Sequence, residues 1–258
     1  MRKCLRISCA AILLVLIAAA IGSWGRVSVA DWRTASREPA GIAPDPAITQ
    51  EAIVQVYGAR AYSWRGTFGV HTWIAVKPTG APAYTVYEVI GWRAYYDEPV
   101  LAISERAPDA RWFGNVPEVF ADLRGDGVDD VIKRIDKIAR SYPYVNSYSV
   151  WPGPNSNTFT AFVARDIPEL KLDLPPTAIG KDYLTNGSVV SKSPSGTGFQ
   201  FSLFGLLGVL AGVEEGVELN FLGLTFGLDP LDLSLKLPIV GRVGPKTSSP
   251  PARLPEQI

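Results

Sequence analysis

Two residues of this 258-residue chain could together attack an acyl bond: Ser156 and His71, the only histidine. A serine hydroxyl becomes a good nucleophile when a base removes its proton, and histidine is the usual base near neutral pH. Ser156 follows the rigid turn 151–155 (Trp-Pro-Gly-Pro-Asn), which runs directly into a helix start. There the backbone N–H groups and the positive end of the helix dipole can stabilise an oxyanion. A Ser–His dyad is therefore one hypothesis for this chain.

A third group would orient the imidazole, and Glu88 is the best candidate, with Asn155 and Asn157 as alternatives. Trp73 and Trp151 are expected to form the walls of the cleft. Both asparagines are expected to contact the substrate. The catalytic set is thus His71, Ser156 and Glu88.

Every one of these residue types also has an ordinary structural use. Serine and asparagine are preferred helix N-caps, so Asn155 or Ser156 can be explained by capping alone. Pro152-Gly153-Pro154 is sufficient as a turn. A lone histidine is often a hydrogen-bonded structural residue, and for Glu88 the role of a buried, hydrogen-bonded carboxylate is favoured over a catalytic one.

The positions of His71 and Glu88 follow from two predicted strands. In Val70–Lys77, alternate residues starting at Val70 form the better core face, which leaves His71 on the opposite face. Glu88 lies in a further strand, Ala83–Trp92, directly opposite His71 or one residue away. A slip of one residue reverses the face of a strand, so the sequence leaves open whether the two side chains meet.

The same patterns predict the other elements of the main domain, residues 51–187. Strands are expected at Ala52–Ala61 and Val100–Ile103, and a helical turn at Pro117–Leu123. Val128–Arg140 has the apolar spacing of an amphipathic helix. A second helix is expected over Asn157–Arg165, so the fold class is α+β with a mostly antiparallel sheet and packed helices.

Residues 188–244 form a Gly-rich appendage with the alternation of β-strands, and Glu214-Glu215-Gly216 is expected to be a hairpin turn. The apolar run Phe201–Val213 is too short and too rich in glycine to favour a second membrane helix. Its Phe and Leu content predicts a patch that docks on a membrane surface or a partner, unless these side chains are buried against the main domain. The tail, 245–258, is expected to be disordered.

The first 30 residues are expected to be a targeting segment. A positive start is followed by the uncharged run Ile7–Gly25, which would reach about 28 Å as a helix and so just span a bilayer. An uncleaved N-terminal anchor is favoured slightly over a cleaved signal peptide. Positive charge stays inside, which places the body outside the cytoplasmic membrane. Residues 31–50 are Pro-rich and are interpreted as a linker.

Composition excludes several classes of function. There are 25 basic and 25 acidic residues, so no basic field is available to attract nucleic acid. The two cysteines, Cys4 and Cys9, lie in the leader, which leaves the body without a disulfide or a cysteine metal site. With a single histidine, a His-rich zinc site is also excluded, and no cofactor or metal is expected. The expected partners are the membrane and an envelope peptide or lipid ligand.

Five stretches of the sequence resemble a bacterial family, domain of unknown function 3750. The resemblance covers roughly residues 32–244, and the family brings no established activity. Because the family is bacterial, the N-terminal targeting segment predicts a location at the bacterial inner membrane, with the body on the periplasmic or outer side. The stretches that carry it are 54–57 (VQVY), 70–77 (VHTWIAVK), 87–92 (YEVIGW), 151–160 (WPGPNSNTFT) and 175–182 (PPTAIGKD).

A more distant resemblance is to circularly permuted papain-like peptidases of the PPPDE, LRAT-like and NlpC types. In these, a strand with the histidine precedes a nucleophile in an N-C-N-x-F motif, which is similar to 155–159 (NSNTF) here. The resemblance implies a papain-like fold with Ser156 in the place of the cysteine. Serine lacks the low pKa of a thiol beside histidine. Two hypotheses follow: an amidase or peptidase-like hydrolase with a Ser–His dyad, or an inactive fold that acts as an envelope binding or scaffold module.

Overall fold

The computed structural model describes residues 31–245 and 251–255. The described chain forms two antiparallel sheets, one of five strands and one of seven, and the helices pack on the first sheet. The α+β class with mostly antiparallel sheets is therefore confirmed.

The five-stranded sheet is built from the first half of the described chain, in the spatial order β4-β3-β2-β1-β5. Its centre is β2, which pairs with β1 along its whole length and with β3 on the other side. The strand bounds are β1 Ile53–Arg60, β2 Val70–Lys77, β3 Thr85–Val89, β4 Leu101–Glu105 and β5 Glu118–Arg124.

Three α-helices accompany this sheet: α1 (Arg65–Phe68), α2 (Val128–Arg140) and α3 (Ser156–Arg165). In α2, apolar residues three and four positions apart form one buried stripe, as predicted. Helix α3 is buried along nearly its full length, although its sequence is less amphipathic. Short 3₁₀ turns lie at Gly91–Tyr96 and Pro168–Leu170.

The sheet has a hydrophobic cluster on each face. On one face, alternate residues such as Val54, Ile74 and Val76 pack with the apolar sides of α2 and α3. On the other face, Tyr57 and Trp73 belong to a second cluster that contains no residue of either helix. Both faces of the central strands are therefore dry, and their side chains alternate between two separate environments.

The seven-stranded sheet is a meander, in which each strand pairs with the next along the chain. The strands are β6 Val190–Lys192, β7 Gly198–Leu203, β8 Leu207–Gly212, β9 Gly216–Phe221, β10 Leu224–Asp229, β11 Ser234–Leu237 and β12 Gly241–Val243. The strand alternation and the hairpin turn at Glu214-Glu215-Gly216 are as predicted. Phe201–Val213 accordingly forms strands and their connecting turn.

The inner face of this second sheet is polar and buried. Glu218 accepts hydrogen bonds from the ammonium groups of both Lys181 and Lys236, and all three residues are at most 2 % exposed. Lys236 also contacts Asp173, with 2.6 Å between Nζ and Oδ1. Buried charges are tolerated when they are paired in this way, so a network of ion pairs joins the second sheet to the loop segments that carry Asp173 and Lys181.

One element differs from its predicted type. A helical turn was expected at Pro117–Leu123, but residues 118–124 form the edge strand β5, because pairing with β1 satisfies their backbone groups. The pairing places Leu123 opposite Val54 and buries it in the core. Tertiary contacts of this kind override local helix signals such as Pro117.

Two segments expected to stand away from the body lie against it instead. Asp109 accepts backbone hydrogen bonds from Ile42 and Ala43, and Pro44 accepts one from the hydroxyl of Tyr84, so the Pro-rich segment 31–50 is laid along the domain. In the tail, Ala252 exchanges backbone hydrogen bonds with the free edge of β5. Backbone partners in the domain explain both corrections.

The targeting segment, 1–30, lies outside the described residues. Among those that are described, no helix has both the length and the hydrophobicity needed to cross a membrane.

The ion-pair network yields a stability prediction. Glu218→Ala leaves the buried ammonium groups of Lys181 and Lys236 without this carboxylate, and we expect a loss of about 3–5 kcal/mol in the free energy of unfolding. Urea denaturation measures this loss. Asp130→Ala, which breaks a solvent-exposed ion pair on α2, is the control and should change stability by about 0–1 kcal/mol. Equal effects of the two substitutions would contradict the prediction.

Candidate functional site

His71 and Glu88 are neighbours on one face of the five-stranded sheet. Glu88 stands directly opposite Trp73 in the register of β2 and β3, which places it diagonal to His71 on the same face. Nε2 of His71 lies 3.2 Å from Oε2 of Glu88. The other oxygen, Oε1, accepts a hydrogen bond of 3.1 Å from Nε of Arg106. The two residues meet at an offset of two positions, which the sequence alternatives did not include.

Aromatic side chains enclose the imidazole. The ring of His71 stacks on Trp112, with 3.6 Å between centroids and 14° between planes. Trp73 lies on the same face, 5.7 Å away, and the guanidinium of Arg106 sits 5.3 Å from its ring centroid. His71 is only 6 % exposed as a result. The imidazole is thus held between a carboxylate and an indole.

Burial decides the charge state of this pair. It lowers the pKa of His71, and this effect outweighs the opposing hydrogen bond and charge of Glu88. For Glu88, burial acts to raise the pKa, but the hydrogen bond from His71 and the charge of Arg106 bring it below its ordinary value. A neutral imidazole therefore donates its Nε2 proton to an ionised carboxylate, whose charge Arg106 balances.

Asn155, Ser156 and Asn157 open α3 through a reciprocal cap. Oδ1 of Asn155 accepts from the backbone N–H groups of Asn157 and Thr158, at 3.0 and 3.1 Å. In return, the hydroxyl oxygen of Thr158 accepts from the backbone N–H of Asn155 at 3.1 Å. This capping box satisfies the free N–H groups at the start of the helix. Asn155 is the N-cap and Ser156 is the first helical residue.

The two asparagine side chains also fix the helix to the rest of the domain. Nδ2 of Asn157 donates to the carbonyls of Val70 and Ile179, at 3.0 and 2.8 Å. Nδ2 of Asn155 donates to Ile179 and to Val150. The loop 175–182 and the first residue of β2 are thereby joined to the start of α3. These contacts give the motif a structural role.

The structure does not bring His71 and Ser156 together. Thr72, the residue after His71, points toward α3, with its hydroxyl 3.0 Å from Oδ1 of Asn157 and 2.9 Å from Oγ1 of Thr160. Successive side chains of a strand point to opposite faces, so His71 faces away from the helix that carries Ser156. Within residues 31–245 and 251–255, the Ser156 side chain has no hydrogen-bond partner, and the side-chain contacts of His71 lie on the other face.

The two tryptophans predicted to form a cleft are also apart. Trp73 is fully buried, stacks on Tyr57 and donates its indole N–H to Pro108 at 2.7 Å. Trp151 is 51 % exposed and donates its indole N–H to the carbonyl of Leu222, in a turn of the seven-stranded sheet. They therefore do not wall a common groove.

Two residues of the His71 environment were missed from the sequence: Arg106 and Trp112. Both lie on the irregular segment between β4 and β5, where periodicity gives no signal about contacts. Only the contacts of the folded chain, Arg106 with Glu88 and Trp112 with His71, show that these two residues reach the site. No cluster of metal-ligand residues is found in the described chain.

The cap geometry predicts how substitutions in the motif rank. Asn155→Ala removes the N-cap and two further hydrogen bonds, and Asn157→Ala removes three, so each should lower the free energy of unfolding by about 1–3 kcal/mol. Ser156→Ala should leave it nearly unchanged. Chemical denaturation of the three variants gives the ranking, and a Ser156→Ala loss as large as the other two would contradict it.

The His71 environment predicts an acid-sensitive stability. Because the folded-state pKa of His71 lies below its ordinary 6.5, the unfolded chain binds more protons, and stability present above pH 6.5 is lost as the pH falls below it. His71→Gln keeps an N–H donor for Glu88 but cannot titrate. Denaturation midpoints at pH 7.5, 6.5 and 5.5 should fall more steeply for the native chain than for this variant. Parallel pH profiles would count against the buried neutral imidazole.

Comparison with known proteins places the site within a family. Neither the curated proteins nor the solved structures contained a match to this chain. A family model does match residues 51–183, a stretch that holds the five-stranded sheet, α3 and all seven candidate site residues. This match covers more than half of the chain, which therefore belongs to the family described as protein of unknown function, DUF3750.

Proposed function

We propose that this chain is a non-catalytic binding or scaffold module of the cell envelope, built on a papain-like arrangement of sheet and helix. The observation that carries the proposal is the placement of His71 and Ser156 on opposite sides of one sheet. A histidine can activate a serine only within hydrogen-bond reach, directly or through one water molecule. A packed sheet between the two side chains leaves no room for such a contact.

The hydrogen bonds of the motif support the same proposal. The side chains of Asn155 and Asn157 form hydrogen bonds within the protein: Asn155 caps the helix, and both amides donate to carbonyls, those of Val70, Val150 and Ile179. Ser156 is 3 % exposed, so its hydroxyl is also poorly placed to meet a substrate. The N-S-N-x-F sequence is accounted for by folding alone, without a nucleophile.

Aromatic contacts indicate where a ligand would bind. A ladder of rings runs outward from buried Trp73 through His71 and Trp112 to Trp92, which is 37 % exposed. Large rings with an exposed face suit the stacking of flat or apolar ligand groups. We place the binding surface for an envelope peptide or lipid at the outer end of this ladder. The N-terminal segment would hold the body at the outer side of the cytoplasmic membrane.

The hydrolase hypothesis has one specific observation in its favour: Glu88 does bond His71, as an orienting carboxylate would. It requires a conformation in which Ser156 reaches the imidazole, and this would break the cap of α3. The two functions are therefore distinguishable by chemical reactivity.

An activity probe tests the proposal. The full chain, purified in detergent, is treated with a fluorophosphonate that labels activated serines. We expect no labelling above that of the Ser156→Ala variant, because no base reaches the hydroxyl. Labelling that is strong in the native chain and lost in both Ser156→Ala and His71→Gln would establish the dyad and overturn the proposal. A serine hydrolase of known activity serves as the positive control.

A further inference from the structure

The seven-stranded sheet is apolar on the side that faces away from the protein. Three cross-strand rows of side chains form this outer face, for example Phe201–Val209–Leu219–Phe226, which stand opposite one another in successive strands. From β7 to β12, no side chain of this face carries a nitrogen or an oxygen atom. Phe199 is 71 % exposed and Leu219 is 55 % exposed. The outer face is therefore open and uncharged.

The alternation of this sheet is the reverse of that expected in water. A solvated antiparallel sheet turns its apolar side chains inward and its polar ones outward. Here Gln200, Glu218, Asn220 and Lys236 point inward and are buried, while their apolar neighbours point outward. A strand with this pattern is stable where the outer surroundings are themselves apolar, as in lipid.

Two hairpin turns extend the apolar character beyond the strands. Phe204 and Leu222 both have φ of 53°, a left-handed conformation for which Gly, Asn or Asp is usual. They are 75 % and 52 % exposed. Trp151 lies beside the second turn through its hydrogen bond to Leu222, and tryptophan is typical of the boundary between membrane and water. Bulky apolar residues at exposed turn positions suit contact with acyl chains.

Chemistry favours a lipid surface over a second copy of the chain. A protein interface usually carries hydrogen bonds across it, about one per 100–200 Å². The outer face offers no side-chain hydrogen-bond group from β7 to β12, and lipid tails require none. Its backbone groups are satisfied between strands, except at the edges.

The length of chain before the described part is consistent with a position at the membrane. Five residues lie between Gly25, the end of the uncharged run, and Asp31, where the described chain begins. The six steps from Gly25 to Asp31 span about 20 Å when fully extended. The proximity to the bilayer rests on the proposed function, in which the N-terminal segment is anchored in the membrane. Such an anchor keeps the body within a short distance of the bilayer.

We propose that the seven-stranded sheet lies flat on a lipid bilayer, with its outer face, Phe204 and Leu222 against the acyl chains at the membrane surface. The ligand chemistry is that of a neutral hydrocarbon surface. Contact therefore depends on neither anionic headgroups nor salt concentration.

Spin labels at single cysteines test this placement in the full chain. In a Cys4→Ser, Cys9→Ser background, Leu219→Cys places a label on the outer face, and Lys133→Cys places one on the solvent side of α2. Ile17→Cys reports on the leader. Each protein is reconstituted into phosphatidylcholine vesicles, and collision rates with oxygen and with a water-soluble nickel chelate are measured by electron paramagnetic resonance.

We expect the label at position 219 to favour oxygen over the nickel chelate by at least about threefold relative to position 133, at low and high salt alike. Water accessibility at 219 equal to that at 133 overturns the placement. If the leader label at 17 is then still in lipid, the tether of the proposed function stands while the sheet contact fails. Protection at 219 from both reagents, with dipolar broadening between labels, would indicate a second copy and also overturn it.

Circular dichroism verifies that the Leu219→Cys variant folds as the native chain does. Phe199→Cys, on another row of the same face, repeats the measurement independently. Agreement between the two positions is required for the lipid placement.

Discussion

The pleat of β2 separates two chemical environments that lie side by side in the sequence. Thr72 turns toward α3 and bonds its first turn, while His71 turns toward Glu88 and Trp112. Because β2 is the central strand, the two faces of the whole sheet differ in the same way. One face carries the helices and the N-S-N motif. The other carries the ionised carboxylate, the neutral imidazole and the ring ladder.

The second sheet also has two chemically different faces, but here the polar side chains face inward and the apolar ones face outward. Its polar side chains are satisfied by partners from the main domain, such as Lys181 and Arg165, which meets Gln200 at 2.8 Å. Arg165 is buried enough that its pKa is lowered to about 10. Buried charges need partners of opposite charge, and the main domain supplies them for the inner face of the second sheet. The apolar outer face is therefore the side of this sheet that contacts the surroundings.

Much of the fold could be predicted from periodicity. Val70–Lys77 and Val128–Arg140 were obtained with their observed bounds, because strict alternation and a heptad-like stripe are strong local signals. The helical turn predicted at Pro117–Leu123 was wrong, because pairing with β1 makes residues 118–124 a strand whatever their local sequence favours. The pattern of β2 also placed His71 opposite the better core face.

The candidate site was only partly within reach of the sequence. To predict that His71 and Glu88 are neighbours, one must know the pairing register of β2 and β3, and the turn between these strands does not specify it. Which face receives α3 depends on packing over long sequence separation, so the separation of His71 from Ser156 could not be read from spacing. Arg106 and Trp112 lie on irregular chain, where only coordinates show contacts. Catalytic roles for His71, Ser156 and Glu88 stay predictions.

The bridge between Ala252 and β5 bears on how the protein avoids self-association. An edge strand with free N–H and C=O groups is a template for pairing with strands of other molecules. β5 is such an edge, and Ala252 occupies it by bonding Arg124 and Asp122 through the backbone. The ion pair of Arg253 with Glu51, at 3.1 Å, holds the same stretch in place. The last described residues thus cover backbone groups of β5 that would otherwise be free to pair with a strand of another molecule.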